Sequence, residues 1–136
     1  MVKQTEITLP PFGRGYHLIT GLIKQKLPPL PDKGMVNLFI KHTSAALTLN
    51  ENADPAVLQD MEYIMNSVVP EKDNNYIHTA EGADDMPAHA KTSMTGVSVT
   101  IPVTGGQLNL GTWQGIYLCE FRNRGGSRKI VATVYG

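Results

Sequence analysis

"VSVTIPVTGGQLNLGTWQGIYLCEFRNRGGSRKIVATVY", from Val97 to Tyr135, decides the fold class. "VSVTIPV" alternates apolar and polar side chains, the two-residue period of a strand with one face buried. "GQLNLGTWQGIYLCEFR" reads as two strands around "GTWQG" (111–115), and "SRKIVATVY" is one more after the "NRGGS" turn. Strands that follow one another over short Gly-rich turns pair antiparallel, because a parallel pair needs a crossover of about a dozen residues or more.

Upstream, "KQTEITL" alternates as a strand and "RGYHLIT" looks like a second. "GLIKQKL" has a helical spacing but is short, and "PPLPDKG" ends it, since proline removes a donor and forbids continuation. Met35–Ile40 is a strongly apolar strand and Ala46–Leu49 another, with "KHTSA" as the bend between them. The clearest helix is "ADPAVLQDMEYIMNSVV". Asp54 is placed to cap it, Pro55 suits its first position, and Pro70 stops it. Val57, Leu58, Met61, Ile64, Met65 and Val68 form a stripe at helical spacing, read as core. "PEKDNNYIHTAEGADD" is loop-like apart from an extended piece at Tyr76–His78. "MPAHAKTSMTG" reads as a further helix with Asp85 as its cap and Gly96 past its end. The expectation is one domain over residues 1–136, α+β, with a mainly antiparallel, sandwich-like core, one long helix and one or two short ones.

Twelve basic side chains balance twelve acidic ones. That argues against nucleic acid or a membrane surface as partner. The one basic cluster, Arg122, Arg124, Arg128 and Lys129, is a candidate anion site able to add charge-paired contacts to a phosphate, with a solvated hairpin turn as the preferred reading. A single cysteine, Cys119, excludes an intrachain disulfide and sits in an apolar strand as a small buried side chain. With neither an apolar leader nor a long apolar run, the expected location is the cytoplasm.

Four polar patches stand out: "KHTSAALT", "NENADP", "HTAEGADDMPAH" and "GTWQG". Each lies at a strand end or loop, where rigid elements can present side chains to one pocket. Three of the four histidines, His42, His78 and His89, could supply the three protein ligands of a metal site, although no tight His-x-x-x-His pair is present and satisfied polar histidines are the commoner state. Glu81, Asp84 and Asp85 lie close together, and like charges in one site raise one member's pKa into the range of acid/base work. Asp85 already has a role as helix cap, so Glu81 is the preferred catalytic carboxylate, with Asp84 beside it. Thr43, Ser44, Asn52, Trp113 and Gln114 offer hydroxyl, amide and loop N–H groups suited to a phosphate. No Walker-type or dinucleotide loop and no nucleophile elbow appears.

Together "HTSAALTLNENADP", "HTAEGADDMPAH" and "GTWQGIYLCEFR" closely resemble the signatures of the YjbQ family, whose members are often labelled secondary thiamine-phosphate synthases. The resemblance runs from about Gln4 to Tyr135. It implies a small α+β homotrimer with a β-sandwich core. It also implies a polar site near subunit boundaries, lined by His42, His78 and His89 and holding a metal or anion. The label implies weak joining of hydroxymethylpyrimidine diphosphate to a thiazole phosphate as a side activity. Two classes of function follow. In the enzyme reading the substrate is a small, phosphorylated molecule. The cofactor is a divalent ion, zinc-like if three histidines hold it and magnesium for the synthase reaction. The same residues would serve metal-assisted hydrolysis equally well. In the other class the protein is a non-catalytic trimeric metal- or ligand-binding module.

Overall fold

The computed structural model describes residues 1–136. Alternation in the last third of the chain becomes the centre of two antiparallel sheets. In the larger, β8 (Lys129–Tyr135) runs between β1 (Val2–Thr8) and β3 (Lys33–Ile40). Strand β3 pairs on with β5 (Ser98–Thr104), which turns into the two-residue β6 (Gln107–Leu108). The β5–β6 turn is Gly105-Gly106, both at positive φ, the conformation in which a two-residue turn matches strand twist and which only glycine adopts cheaply. The smaller sheet places β7 (Gln114–Glu120) between β2 (Gly15–Leu18) and β4 (Ala45–Glu51), so of the successive C-terminal strands only β5 and β6 pair directly, and β7 crosses to the other sheet instead of pairing with β6 or β8. Three helices complete an α+β chain: α1 (Thr20–Lys26), α2 (Pro55–Val68) and α3 (Asp85–Thr95).

The inward residues of both sheets meet in one cluster: Ile7, Val36, Leu38, Ile40, Leu47, Ile101, Ile116, Leu118, Ile130 and Val134 all belong to it. Strand β7 is buried from Gly115 to Glu120, not alternately. Ile116 and Leu118 face this core, while Cys119 and Phe121 meet Ala46 and Ala88 of α3 on the other side. A strand covered on both faces reads as a continuous apolar run, which is what "GIYLC" is. Cys119 is fully buried and burial pushes its thiol pKa up to about 12, so it is the inert apolar side chain expected.

Asp54 caps α2 by accepting the N–H of Ala56 at 2.9 Å, with Pro55 as the first helical residue. Asp54→Ala should lower stability by about 1 kcal/mol in urea unfolding; an unchanged midpoint would show that the cap contributes nothing. The helix's apolar stripe, however, is only partly core. Met65 is buried, whereas Ile64 and Val68 are about half exposed. Fourteen helical residues span about 21 Å and the four of β2 about 13 Å, so α2 overhangs the strand it packs beside. Tyr76–His78 forms no strand and stays within the loop. No helix is long and apolar enough to cross a membrane.

The basic turn is solvated only in part: Arg124 and Lys129 are exposed, while Arg122 and Arg128 are not. Arg128 is buried, its guanidinium paired through two nitrogens with the fully buried carboxylate of Glu120, at 2.7 and 2.6 Å. Arg122 turns inward to the acidic pair of α3.

Candidate metal centre

Strand β4 begins and strand β7 ends at the same edge of the smaller sheet, Ala45 opposite Glu120. The residues just outside those ends, Thr43 and Arg122, receive the start of α3. Asp85, the first residue of α3, and His89, one turn on, point the same way, as an i, i+4 pair must. His78 comes from the preceding loop. Donor atoms of His78, Asp85 and His89 lie within 4.8 Å of one another. Asp85 Oδ2 is 2.6 Å from His78 Nε2 and 3.1 Å from His89 Nε2. The carboxylate is almost wholly buried, while the two imidazoles stay partly open to solvent.

Hydrogen bonds behind these atoms decide what they can do. His89 Nδ1 lies 2.9 Å from the carbonyl oxygen of Thr43. A carbonyl only accepts, so Nδ1 must carry the proton. In the neutral ring Nε2 is then a lone pair facing the carboxylate oxygen of Asp85, which repels it unless a cation or a second proton sits between. A ring N–H held by a backbone carbonyl is how proteins orient a metal-ligating histidine. Arg122 supplies the matching support for the carboxylates. Its Nη1 donates to Asp85 Oδ1, its Nε to Asp84 Oδ2 at 2.9 Å, and its Nη2 to the carbonyl of Glu81 at 2.9 Å. Asp85 Oδ1 is thus tied back and Oδ2 left for the histidines. Two imidazole nitrogens and one carboxylate oxygen make a three-ligand set that suits a zinc-like ion and leaves a position for water or substrate.

Several expectations change here. His42 does not join the group: its Nε2 accepts the backbone N–H of Lys129 at 2.9 Å, between β3 and β8, and Asp85 takes the third place. Asp85 caps no helix. Asp84 precedes α3, neither side chain caps it, and both carboxylates serve Arg122 instead. The like-charge argument for a raised pKa also fails. Burial pushes Asp84 and Asp85 up, but donors outweigh it: the Asn123 N–H and Arg122 for Asp84, His78, His89 and Arg122 for Asp85. Both carboxyls end below the ordinary range. Asp84, committed to Arg122 and Asn123, is a clamp and not a proton carrier. Glu81 stays exposed, close enough to Arg122 to help hold its charge.

Nor do the four patches converge on one pocket. Ser44 is buried and its hydroxyl and carbonyl accept from Arg128. Thr43 contributes its carbonyl. Asn52, Trp113 and Gln114 lie at the opposite end of β7, about 20 Å away along seven strand residues. Arg122 and Asp85, both central to the site, were missed as functional residues. The signal for Asp85 was the Asp-x-x-x-His spacing, hidden behind its fit as a cap. Arg122 was legible only as part of a basic turn that could meet an anion, and its partners are instead the carboxylates of Asp84 and Asp85.

His42 has its own consequence. Burial, then Arg128, Lys129 and Lys41, hold its pKa below the ordinary 6.5. The unfolded chain therefore takes up this proton first, and stability present above pH 6.5 is lost as pH falls toward the folded-state value. In urea unfolding between about pH 7.5 and 5.5, His42→Gln should flatten the fall in midpoint; an unchanged slope would exclude His42 as its source.

Residues 5–136 match the model of the UPF0047 YjbQ-like family. The chain belongs to the YjbQ family. It is 50% identical to the UPF0047 protein YjbQ of Escherichia coli O157:H7 and 53% identical to that of Salmonella typhimurium, covering all of this chain and 99% of each relative. Among solved structures it is similar to a YjbQ/UPF0047 protein of Clostridium acetobutylicum at 35% identity and TM-score 0.81, over 96% of this chain and 99% of that one. A conserved hypothetical protein of Thermus thermophilus gives 32% and 0.81, over 93% and 97%. A YbjQ-like protein of Sulfolobus solfataricus, described as of unknown function, shares the fold at 23% identity and TM-score 0.87, over 100% and 98%. The family is thereby fixed while its chemistry is left to the site.

Proposed function

We propose that His78, Asp85 and His89 hold a zinc-like divalent ion and that the centre serves metal-assisted hydrolysis of a small, phosphorylated substrate. The observation that carries this reading is the Thr43 carbonyl on His89 Nδ1, which leaves His89 Nε2 as a lone pair beside a carboxylate. When bound, the ion supplies Lewis acidity and a water that ionises near neutral pH. His78 Nε2, His89 Nε2 and Asp85 Oδ2 are the ligand atoms. Arg122, after His78 and His89, helps keep Asp85 ionised, and it ties the backbone of Glu81 to the same guanidinium. Glu81, with its carboxylate free in solvent, is the residue we assign to accept the proton of the attacking water. A cleft of about 370 Å³ opens beside His78, bounded by Lys72, Tyr76, Thr79 and Met86 among others, the size of a small-molecule site.

Thiamine-phosphate synthesis is the narrower reading, and motif resemblance supports it. A diphosphate leaving group calls for magnesium on carboxylates. This group offers one carboxylate and two imidazoles, so we place that reaction second, as a side activity. A non-catalytic binding module keeps the same ligands and lacks only turnover.

Metal analysis of untagged protein, followed by assays of phosphate ester hydrolysis and thiamine phosphate formation, separates these readings. About one zinc per chain, lost in His89→Ala, with hydrolysis lost in Glu81→Gln, is the expected result. No bound metal and no thermal stabilisation by added zinc would sink the metal centre. Bound metal with full activity in Glu81→Gln would remove Glu81 from the mechanism.

We also propose assembly as a homotrimer through the outer face of the five-stranded sheet. Register aligns Val2, Tyr135, Met35 and Pro102 in one row and Glu6, Val131, Phe39 and Ser98 in another, with Gln4, Thr133, Asn37 and Thr100 between. Val2, Met35, Phe39 and Tyr135 are each about half exposed. Rows of apolar and uncharged polar side chains suit burial against another copy, and the one acidic group, Glu6, is already paired with Lys41 at 3.1 Å and Lys129 at 3.7 Å. Phe39→Glu should shift the mass seen by light scattering from trimer toward monomer, and an unchanged mass would exclude this face.

A further inference from the structure

The end of β7 opposite the metal centre carries a cleft of its own. Two adjoining cavities, of about 450 and 330 Å³, share Lys24 and Leu108. That is the size range of small-molecule pockets. Their walls are apolar at Leu18, Leu108 and Leu110 and polar at Thr20, Asn52, Thr112 and Gln114. Lys24 is the only charged side chain lining either cavity. It takes part in none of the chain's salt bridges.

The polar side chains are held from behind and leave their other valences free. Gln114 Oε1 accepts the N–H of Gly111 at 2.9 Å, which leaves the Nε2 donors unused. Asn52 Nδ2 donates to the carbonyls of Thr112 and Gln114 at 3.3 and 3.2 Å. The Asn52 N–H donates to the carbonyl of Trp113 at 2.9 Å. Thr20 Oγ accepts the N–H of Ile116 at 2.8 Å, so its own hydroxyl proton is available. Leu18 and Asn52 also pack closely against the start of β7. A Cβ on Gly115 would come within 2.5 Å of Leu18 Cδ1 and 3.1 Å of Asn52 Cβ. Side chains fixed at one end and free at the other are pre-ordered, which lowers the entropy lost when a ligand binds.

We propose that this cleft is a second ligand site, independent of the metal centre, for a small organic anion with an apolar body. Lys24 and Gln114 Nε2 meet the anionic group, and Leu108, Leu110 and Leu18 cover the body. No acidic side chain lines the cleft, so no negative charge there opposes the anion. Phosphomonoesters and carboxylates share this chemistry.

Trp113, the chain's only tryptophan, stands beside the cleft and is mostly exposed, so its fluorescence reports occupancy. The full-length protein is titrated with phenyl phosphate and with benzoate, with benzyl alcohol and inorganic phosphate as controls. Amide NMR shifts map the site. A saturable response is expected for at least one of the aromatic anions, stronger than for either control, with shifts at Leu18, Lys24, Leu108 and Thr112. The tighter of the two names the head group. Lys24→Gln should weaken binding about tenfold, the scale of one charge-assisted hydrogen bond. Gln114→Glu keeps the acceptor for Gly111 and sets an anion against the ligand, so it should weaken binding too. Chelating all metal should leave the affinity unchanged. The proposal is overturned by no saturation up to about 10 mM, weaker than any useful affinity on the millimolar scale, by wild-type affinity in Lys24→Gln, or by shifts confined to the His78–His89 end.

Discussion

Arg128→Met is expected to cost about 3–5 kcal/mol in urea unfolding, a large fraction of the roughly 5–15 kcal/mol that holds a typical domain folded. Glu120 and Arg128 are both buried, and the carboxylate receives two guanidinium nitrogens while the same guanidinium reaches the hydroxyl and carbonyl of Ser44. The backbone of Arg122 also donates to Glu120, at 3.1 Å. Removing the cation leaves a charge with no water to solvate it, and that desolvation exceeds anything the surrounding apolar contacts return. The double variant Arg128→Met, Glu120→Leu removes both charges and should recover most of the loss, since a matched apolar pair is commonly as stable as the ions it replaces. Gly125 lies directly against the pair, where even a Cβ would collide with Glu120 Oε1 and Arg128 Nη2. A single-variant cost under about 1 kcal/mol, the level of an exposed pair, would mean that water reaches these charges in solution.

Asp85→Asn should lower zinc affinity by at least about 100-fold, measured against a competing chelator, because losing a supporting partner alone costs 10–100-fold. The substitution preserves shape. Its amide oxygen is drawn to Arg122 Nη1, where Asp85 Oδ1 now accepts, so its NH₂ group turns toward Nε2 of His78 and the lone pair on Nε2 of His89. A donor then stands where a ligand is needed. Zinc should raise the unfolding midpoint of the parent protein, as any ligand of the folded state does, and leave that of Asp85→Asn almost unmoved. His42→Ala provides the contrast. Its ring is held by Lys129 and not by the centre, so zinc affinity should stay within about threefold of the parent, well inside a ligand's share. Retained affinity in Asp85→Asn, or an equal loss in His42→Ala, would reinstate the three-histidine site.

The strands were legible because their period is local. "VSVTIPV" and "KIVATVY" show on paper the alternation that buries Ile101, Val103, Ile130, Ala132 and Val134. The cap at Asp54 was legible for the same reason, since an Asp-Pro pair acts within one turn. Ile64 and Val68 misled, because a helical stripe shows that a face is apolar and not how much of it a neighbour covers. At the site, proximity in sequence misled twice. Asp85 had an adequate local role as a cap, and Arg128 sat in a turn that reads as solvent-facing.

What the sequence determined by itself is the family, the α+β class and the antiparallel character of the sheets, together with the loop and helix that bear His78 and His89. These rest on periods and motifs a few residues long. The partners were decided only by the tertiary structure. Arg122 reaches back across 37 residues to Asp85, Thr43 across 46 to His89, and Lys129 across 87 to His42. Such pairings follow from which strand ends the two sheets bring together, and a charge or a lone pair is assigned its function by the group that faces it in space.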